Sequence, residues 1–502
     1  MHMLENTFFW RTNMIRKITF IHLAVICALL LTACGTSVAA TQETASATDT
    51  SSVVFVTQTA EPTTQNADAL PAGGAPNGNP PPGNPPSGGN MGGNLEEGLA
   101  TATGVYTLSG GVAEETNQTY TATQQDQSGI YVTDGGVLTL NNVTVNTSGE
   151  TSSSDGSSFY GLNAGILAVE STITVNGGTI ITSGSGANGA FATGEGSVVN
   201  LSNVTITATG DGGHGVMATL GGEINLTNVN MTTFGAHSAP IATDRGSGTV
   251  NSTGGSLLTT GADSPCYYST GVLNIENSTC TADGSEAAVI EGANSINLID
   301  SDVTVNVPDK WGVMIYQSFS GDAEGTEGIF TMQGGSLTYT DANSPLFYVN
   351  NSTGYITLDH VAVNVASGIL VNAAANDRWG TSGQNGGTVY LTATNQTLSG
   401  DFIADAISAI TVELTDSSSW TGAINANQEA SSSSLTLDAS STWTVTADSY
   451  LTCLSDPEGI SGTTIQNIIG NGHTVYYDAA NCKALNGITY TLVGGGELKP
   501  LQ

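Results

Sequence analysis

One short pattern recurs through residues 129–445, and it constrains the fold more than any other feature of the chain. It consists of an apolar residue, any residue and a second apolar residue, followed two places later by a turn residue. Consecutive copies begin 23 to 35 residues apart. Because a repeat of this length cannot bury its own apolar face, the pattern predicts a β-solenoid. The copies begin at Leu138, Ile173, Val199, Ile224, Val250, Leu273, Ile296, Phe330, Ile356, Val389, Val412 and Leu435.

The turn position of each copy indicates how the chain changes direction. In the first nine copies it holds Gly, Asn, Asp or His, which tolerate a left-handed backbone conformation that β-branched residues avoid. One such residue between two short strands predicts a corner of a parallel β-helix. We also expect the polar corner side chains to bond from coil to coil in a structural turn ladder. Its predicted members are Asn142, Asn203, Asn228, Asn277 and Asp300.

A further strand precedes each corner, as in GILAV from Gly165 and GVMAT from Gly215. Its third position is large and apolar, and we predict that this column fills the interior of the stacked coils. The fold class predicted from these patterns is all-β, a single-stranded parallel β-helix of roughly 13 coils with three strands per coil. The predicted interior column consists of Tyr131, Leu167, Phe191, Met217, Ile241, Tyr267, Val289, Met314, Phe347 and Leu370.

The first 34 residues have the features of an export signal. Arg16 and Lys17 precede an apolar run, and the run ends in Leu31-Thr32-Ala33-Cys34, which resembles the bacterial lipobox. The resemblance implies that Cys34 is lipidated and becomes the first residue of the mature chain. The protein would then be exported and lipid-anchored at the bacterial cell surface. An ordinary secretory signal with an incidental cysteine is the alternative.

Composition divides the rest of the chain. Residues 35–98 are rich in Thr, Ser, Pro, Gly and Asn and have no apolar periodicity, so they predict a disordered tether. Residues 99–450 are assigned to the parallel β-helix. Residues 451–502 depart from the repeat and are assigned to a C-terminal cap.

The chain is strongly acidic. Without residues 1–33 it holds 42 acidic and 5 basic residues, a net charge of −37. This charge opposes binding to nucleic acid or to an anionic membrane surface, so we expect no nucleic-acid partner and membrane contact through the lipid anchor only. Charged residues are only 10% of the chain, and a surface of Thr, Ser, Asn and Gly is typical of an extracellular β-solenoid. We expect a monomer.

The cysteines fit an exported protein. Cys453 and Cys482 flank a segment that departs from the repeat, and they are candidates for a disulfide in the C-terminal cap. Cys266 and Cys280 lie on different strands of one coil. For this second pair a bridge and a free buried thiol are both compatible with the sequence.

Residues 100–450 resemble the right-handed parallel β-helix surface proteins of the pectin-lyase-like superfamily. Near the end, Val412-x-Leu414 with Trp420 recurs as Leu435-x-Leu437 with Trp443, which is similar to the last coils of autotransporter passengers. The resemblance implies a right-handed helix but not one function, since the superfamily contains lyases, hydrolases and adhesins. Gly213-His214-Gly215 matches one polygalacturonase signature, but the other three are missing, and no catalytic residue is assigned.

Two turns that follow the first strand of a coil are long, at residues 317–328 and 373–387. Insertions on a solenoid tend to lie on its binding face, so we predict a ligand-binding edge where aromatic rings stack on sugars and charged groups bind hydroxyls. The alternative is that each Asp-Arg pair caps a turn and that Trp379 covers its own loop. The candidate ligand-binding residues are Asp244, Arg245, Glu291, Tyr316, Asp322, Glu324, Asp377, Arg378 and Trp379.

Two hypotheses for function follow. The first is a non-catalytic, lipid-anchored surface binding protein or adhesin that recognises carbohydrate or a host or neighbouring surface. The alternative is an extracellular polysaccharide-degrading enzyme, a glycoside hydrolase or lyase. The incomplete catalytic set favours the first. Neither hypothesis requires a cofactor, although carboxylates on the edge could bind Ca²⁺.

Overall fold

The computed structural model describes residues 94–320 and 323–501, and in it the chain forms a right-handed parallel β-solenoid of about 16 turns. The predicted fold class is therefore confirmed, with about 16 turns instead of roughly 13. Strands such as Thr103–Ser109 and Cys453–Ser455 extend the stack beyond residues 129–445, where the pattern was recognised.

Most coils contribute one strand to each of three faces. The first face is a sheet of 12 parallel strands. Its strands are Thr103–Ser109, Gln127–Thr133, Ile166–Val169, Ala190–Thr193, Val216–Thr219, Ile241–Asp244, Tyr267–Ser269, Ala288–Glu291, Val313–Tyr316, Phe347–Asn350, Ile369–Ala373 and Asp401–Ala404.

The second and third faces follow in each coil, and three long strands bend through the corner to serve both: Val137–Thr147, Thr172–Thr182 and Val198–Ala208. The other strands of the second face are Val112–Thr116, Glu223–Thr227, Thr249–Thr253, Val272–Glu276, Ser295–Ile299, Glu327–Gln333, Thr353–Asp359, Thr388–Thr394, Ala409–Thr415, Ser432–Leu437 and Cys453–Ser455. Those of the third face are Thr119–Ala122, Asn230–Thr233, Ser256–Thr259, Thr279–Ala282, Asp302–Val305, Ser336–Tyr339, Ala362–Val365, Thr397–Ser399, Ser419–Gly422 and Thr442–Val445.

The C-terminal end combines parallel and antiparallel pairing. Thr464–Ile469 pairs antiparallel with Ile460–Ser461, and Tyr490–Val493 pairs antiparallel with Glu497–Pro500. Such hairpins cover strand edges that the last coil would otherwise leave open. The remaining strands here are Ser449–Leu451 and Thr474–Tyr477. The described helices are Leu95–Gly98, Ser154–Tyr160 and the 3-10 turn Lys483–Leu485.

The corner prediction is confirmed by the backbone. Asn142, Asn203, Asn228, Asn277 and Asp300 have φ values of 52°, 56°, 52°, 54° and 45°. The side-chain ladder is formed differently from the prediction. At the corner, Asn142 donates to Asn117 Oδ1 at 2.8 Å, but Asn277 donates within its own coil to Glu276. A longer amide ladder lies on the outside of the second face. It begins at Asn200, and each later amide donates to the one before it at 2.9–3.1 Å: Asn225, Asn251, Asn274 and Asn297.

The apolar starting residues of the repeat form one inward column on the second face. They pair from Leu138 to Leu435 in continuous register, which confirms all but one of them. The exception is Val389, because Ile356 pairs with Leu391. Both side chains point inward and are buried, since they are two residues apart on the same strand.

The predicted interior column of the first face is partly wrong. Ile241, Tyr267, Phe347 and Leu370 do belong to the central core. The other members lie on the outer side of the sheet: Tyr131, Leu167, Phe191, Met217, Val289 and Met314. The sequence alignment placed Met217 beside Ile241, whereas Met217 pairs with Ala242. A shift of one residue moves every side chain to the opposite side of a sheet.

Both cysteine pairs are disulfides. Cys453 is bonded to Cys482 at the C-terminal end, and Cys266 is bonded to Cys280 across the interior of one coil. Trp420 and Trp443 stack inside the solenoid with ring centroids 5.0 Å apart, and each indole donates to a glycine carbonyl one coil earlier. These contacts tie the C-terminal coils together.

Candidate functional site

The outer side of the first face carries a continuous apolar column, which distinguishes it from the other two faces. Most central strands of the first face are buried at all four positions, whereas strands of the second face alternate between buried and accessible positions. A sheet with two apolar sides needs cover on both of them. Backbone pairing places these residues in the outer column: Tyr131, Leu167, Phe191, Met217, Ala242, Tyr268, Val289, Met314 and Tyr348.

The N-terminal half of this column is covered by an insertion and by residues before the first strand. Helix Ser154–Tyr160 is capped by Ser153, whose Oγ accepts from Gly156 N at 3.0 Å. Gly161 ends the helix with a φ of 82°, and a Cβ there would lie 2.6 Å from the Phe191 ring. Helix Leu95–Gly98 also packs here, so these four residues are ordered although the sequence assigned them to the tether.

The C-terminal half is partly covered by an aromatic cluster. Trp311 stacks on Tyr348 with ring centroids 4.3 Å apart. The centroid of the Trp379 ring lies 4.7 Å from that of Tyr316 and 6.4 Å from that of Trp311. Trp379 is only 8% exposed. The loop folds back and buries the indole against the outer column, so this ring is not freely exposed for stacking on a sugar.

Hydrogen bonds hold the loop at residues 374–387 in this position. Asn376 Oδ1 accepts from the backbone N–H groups of Arg378 and Trp379, both at 2.9 Å. Buried Asn385 donates to the carbonyls of Asn376 and Trp379, and Asn350 donates to the carbonyls of Ala374 and Asn385. Because buried amides satisfy its backbone, the loop is a fixed part of the site.

An open cleft of about 300 Å³ lies between the helical cover and the aromatic cluster. Its floor is the outer column at Tyr268, Val289 and Met314. One wall, the entry wall, comes from turns that precede the strands of the first face. The other, the exit wall, comes from the ends of these strands and the turns that follow them. The lining residues are Ser158, His214, His237, Ala239, Asp244, Asp263, Pro265, Tyr268, Ser285, Glu286, Val289, Asp309, Lys310, Trp311, Met314, Tyr316, Arg378 and Trp379.

Beneath the exit wall lies a buried hydrogen-bond network around Glu291, which is 2% exposed. Tyr268 and Tyr316 donate their hydroxyls to Glu291 Oε2 at 3.0 and 2.8 Å, and the Ser318 hydroxyl donates to Oε1. Burial, followed by the charge of Glu291, raises the pKa of Tyr316 well above its usual value. Glu291 therefore fixes the two tyrosines in place.

The entry wall contains two histidines with reduced basicity. Burial lowers the pKa of His214 to about 4, and its Nδ1 has no hydrogen-bond partner among the described residues. Burial also lowers the pKa of His237, although the nearby Asp263 opposes this change. Both imidazoles are therefore mainly neutral at pH 7.

The two bases of the cleft are engaged in contacts of their own. Lys310 forms an ion pair with Asp263. Burial would raise the pKa of Asp263, but its hydrogen bond to Lys310 and the charge of Lys310 hold the value below the usual one. Arg378 lies 4.6 Å over the Trp379 ring, and its charge also acts on Asp263 and His237 across the cleft.

The predicted binding residues are only partly brought together. Asp244, Tyr316, Arg378 and Trp379 line the cleft, and Glu291 lies directly behind Tyr316. Arg245 instead packs its guanidinium 4.1 Å over the ring of Phe159. Glu324 and Asp377 are exposed and are not among the lining residues. Asp322 and Cys34 lie outside the described residues.

The entry wall was missed by the sequence analysis. His237, Asp263, Glu286 and Lys310 lie in turns before the first face, whereas the prediction considered only the turns after it. A signal was present in the runs of four apolar residues, such as Ile166–Val169, because a strand buried on both sides predicts a covered outer face.

Within residues 94–320 and 323–501, no group of three or more His, Cys, Asp or Glu side chains is placed to hold a metal ion. None of the helices in that part of the chain is long and apolar enough to cross a membrane. The chain matches no protein family, no curated protein and no solved structure.

Proposed function

We propose that the protein is a non-catalytic carbohydrate-binding protein of the pectin-lyase-like type, anchored by lipid at Cys34 and displayed at the bacterial cell surface. The observation that supports it best is the cleft over the first face, with aromatic side chains beside buried polar groups. Aromatic and apolar surfaces pack against the faces of sugar rings, while carboxylates and neutral imidazoles bond to hydroxyls.

The cleft has dimensions suited to a short oligosaccharide. Four strands, from Ile241–Asp244 to Val313–Tyr316, lie under it, and three steps of about 4.8 Å give a floor on the order of 14 Å long. Its walls are held by the ion pair of Lys310 with Asp263 and by the hydrogen bonds to Glu291. A site built before the ligand arrives saves the ordering cost of binding.

A glycan-array experiment with the purified full chain tests this function. We expect binding to a defined set of oligosaccharides, and an affinity about tenfold lower for Trp311→Ala, since an aromatic contact contributes about 1 kcal/mol or more. Tyr390→Ala is the matched control, because Tyr390 stacks on Tyr355 on the second face, away from the cleft.

Three outcomes contradict the proposal: no glycan is bound, both variants lose affinity equally, or the wild-type chain releases reducing ends from the polysaccharides it binds. The last outcome would support the polysaccharide-degrading alternative.

A further inference from the structure

We propose that the cleft recognises an amino sugar, a saccharide whose ring carries a primary ammonium group. This inference rests on the proposed carbohydrate-binding function and specifies its ligand class. Three features of the cleft support it: a buried carboxylate without a cationic partner, bases that are already engaged, and an apolar floor.

The first feature is Glu286, in the turn that enters strand Ala288–Glu291. Its side chain lines the cleft and is 4% exposed, and it accepts a hydrogen bond from the Ser285 hydroxyl. No ion pair found among the described residues includes Glu286. A carboxylate removed from water without a counter-charge is costly, and a ligand ammonium would supply that charge.

The second feature is the charge balance of the walls. The lining contains four carboxylates and two bases, a formal charge of −2. The carboxylates are Asp244, Asp263, Glu286 and Asp309. Lys310 is bonded to Asp263 and Arg378 lies against Trp379, so both bases already have contacts inside the protein. A positively charged ligand is favoured here, and the net charge of −35 on the whole chain adds to this preference.

The third feature distinguishes an amino sugar from a simple amine. Tyr268, Val289 and Met314 form an apolar floor, and Trp311 lines its C-terminal end. Such a floor suits the apolar face of a pyranose ring, whereas a linear diamine would cover little of it. His214 also lines the cleft, and its imidazole is mainly neutral, so it adds no positive charge that would oppose an ammonium group.

The experiment compares two saccharides that differ only in N-acetylation with an acidic oligosaccharide and with an amine that has no sugar ring. Calorimetry with the full chain uses β-1,4-linked glucosamine oligosaccharides, their fully N-acetylated counterparts, oligogalacturonates of equal length and a linear diamine. We expect the amino form to bind at least tenfold more tightly than the N-acetylated form, because acetylation removes the charge and one charge-assisted bond. The oligogalacturonates and the diamine should bind more weakly still.

Variants locate the contact. Glu286→Gln should weaken the amino form about tenfold and leave the N-acetylated form unchanged, which a general structural defect would not do. Asp309→Asn should reduce affinity for the amino form by up to about fivefold, since Asp309 is exposed. It serves as the second variant if Glu286→Gln fails to fold. Glu413→Gln, an exposed acid on the second face, is the control.

Each result is decisive. Equal or tighter binding of the N-acetylated form would overturn the amino-sugar inference but leave the carbohydrate-binding function standing. Binding of the diamine as tight as that of the amino sugar would also overturn it. If no saccharide of any class binds, the proposed function itself is wrong.

Discussion

At the corner between the second and third faces, the chain turns through a residue with positive φ, which in some coils is followed by a glycine that also has positive φ. Asn203 lies there with a φ of 56° and an exposed side chain. The neighbouring corners at Gly177 and Asn228 have the same backbone conformation. Since these side chains bury little, their main contribution is to adopt this conformation at low cost.

Asn203→Val is therefore expected to destabilise the protein by about 1–2 kcal/mol, because a β-branched residue is strained at positive φ. Urea unfolding of the purified chain measures the effect. Thr205→Val, at an exposed strand position of the same coil, is the control and should cause almost no change. An equal stability of the two variants would show that the corner conformation is not limiting.

Burial of His214 makes stability depend on pH. Its pKa is lowered from 6.5 to about 4 by burial, so the unfolded chain binds the proton more readily than the folded chain. The folded state should therefore be most stable above about pH 6.5 and should lose on the order of 3 kcal/mol from this group as the pH falls to about 4.

We expect His214→Asn to reduce this loss, measured as the difference in unfolding free energy between pH 7.5 and pH 4.5. His360→Asn is the control, because His360 is a largely exposed corner residue at which Asn keeps the positive φ. If wild type and His214→Asn show the same pH dependence, the histidine is not the group responsible.

Among the elements, the loop at residues 374–387 has the largest effect on the site. It crosses the C-terminal end of the outer column, buries Trp379 and leaves Arg378 exposed beside it. Two adjacent residues of one loop therefore have different roles. The indole joins the loop to the sheet, and the guanidinium lies over its ring, where its charge acts on Asp263 across the cleft.

Trp379→Ala should lower the stability by about 3 kcal/mol, since it empties a buried aromatic position. Arg378→Ala should leave the melting temperature nearly unchanged, because the side chain is exposed, but should alter glycan affinity through the charge of the cleft. Calorimetric unfolding and glycan binding, measured on both variants, separate the two roles. A stable Trp379→Ala variant would contradict the packing described here.

The turns around the first face explain which parts of the site were predictable. The long turns were visible as insertions, and Tyr316, Arg378 and Trp379, at or near these turns, all line the cleft. The entry turns are short and carry no insertion, so nothing local marks Glu286 or Lys310 as neighbours of Arg378. Their proximity depends on the register in which successive coils stack, which is a property of the tertiary structure.

For the whole molecule, we predict a lipid anchor at Cys34. Cys34→Ser should move the protein from the membrane fraction to a soluble fraction, because the lipid would be its only membrane attachment. Fractionation with immunoblotting, together with mass spectrometry of the mature N-terminus, measures this. Ser37→Ala, three residues beyond the lipobox, is the control. An unlipidated Cys34 in the wild-type protein would contradict the prediction.

The sequence by itself determined the solenoid, because the inward column and the corner residues are local and repeat in every coil. Leu138 and Asn142 specify their own positions through apolar spacing and backbone preference. Only the tertiary structure decided which side of the first face Met217 and Met314 occupy. A preceding turn that differs by one residue moves every side chain of the strand to the opposite side of the sheet. That choice creates the outer apolar column, which needs to be covered. The cleft lies where the helical cover and the aromatic cluster leave the column open.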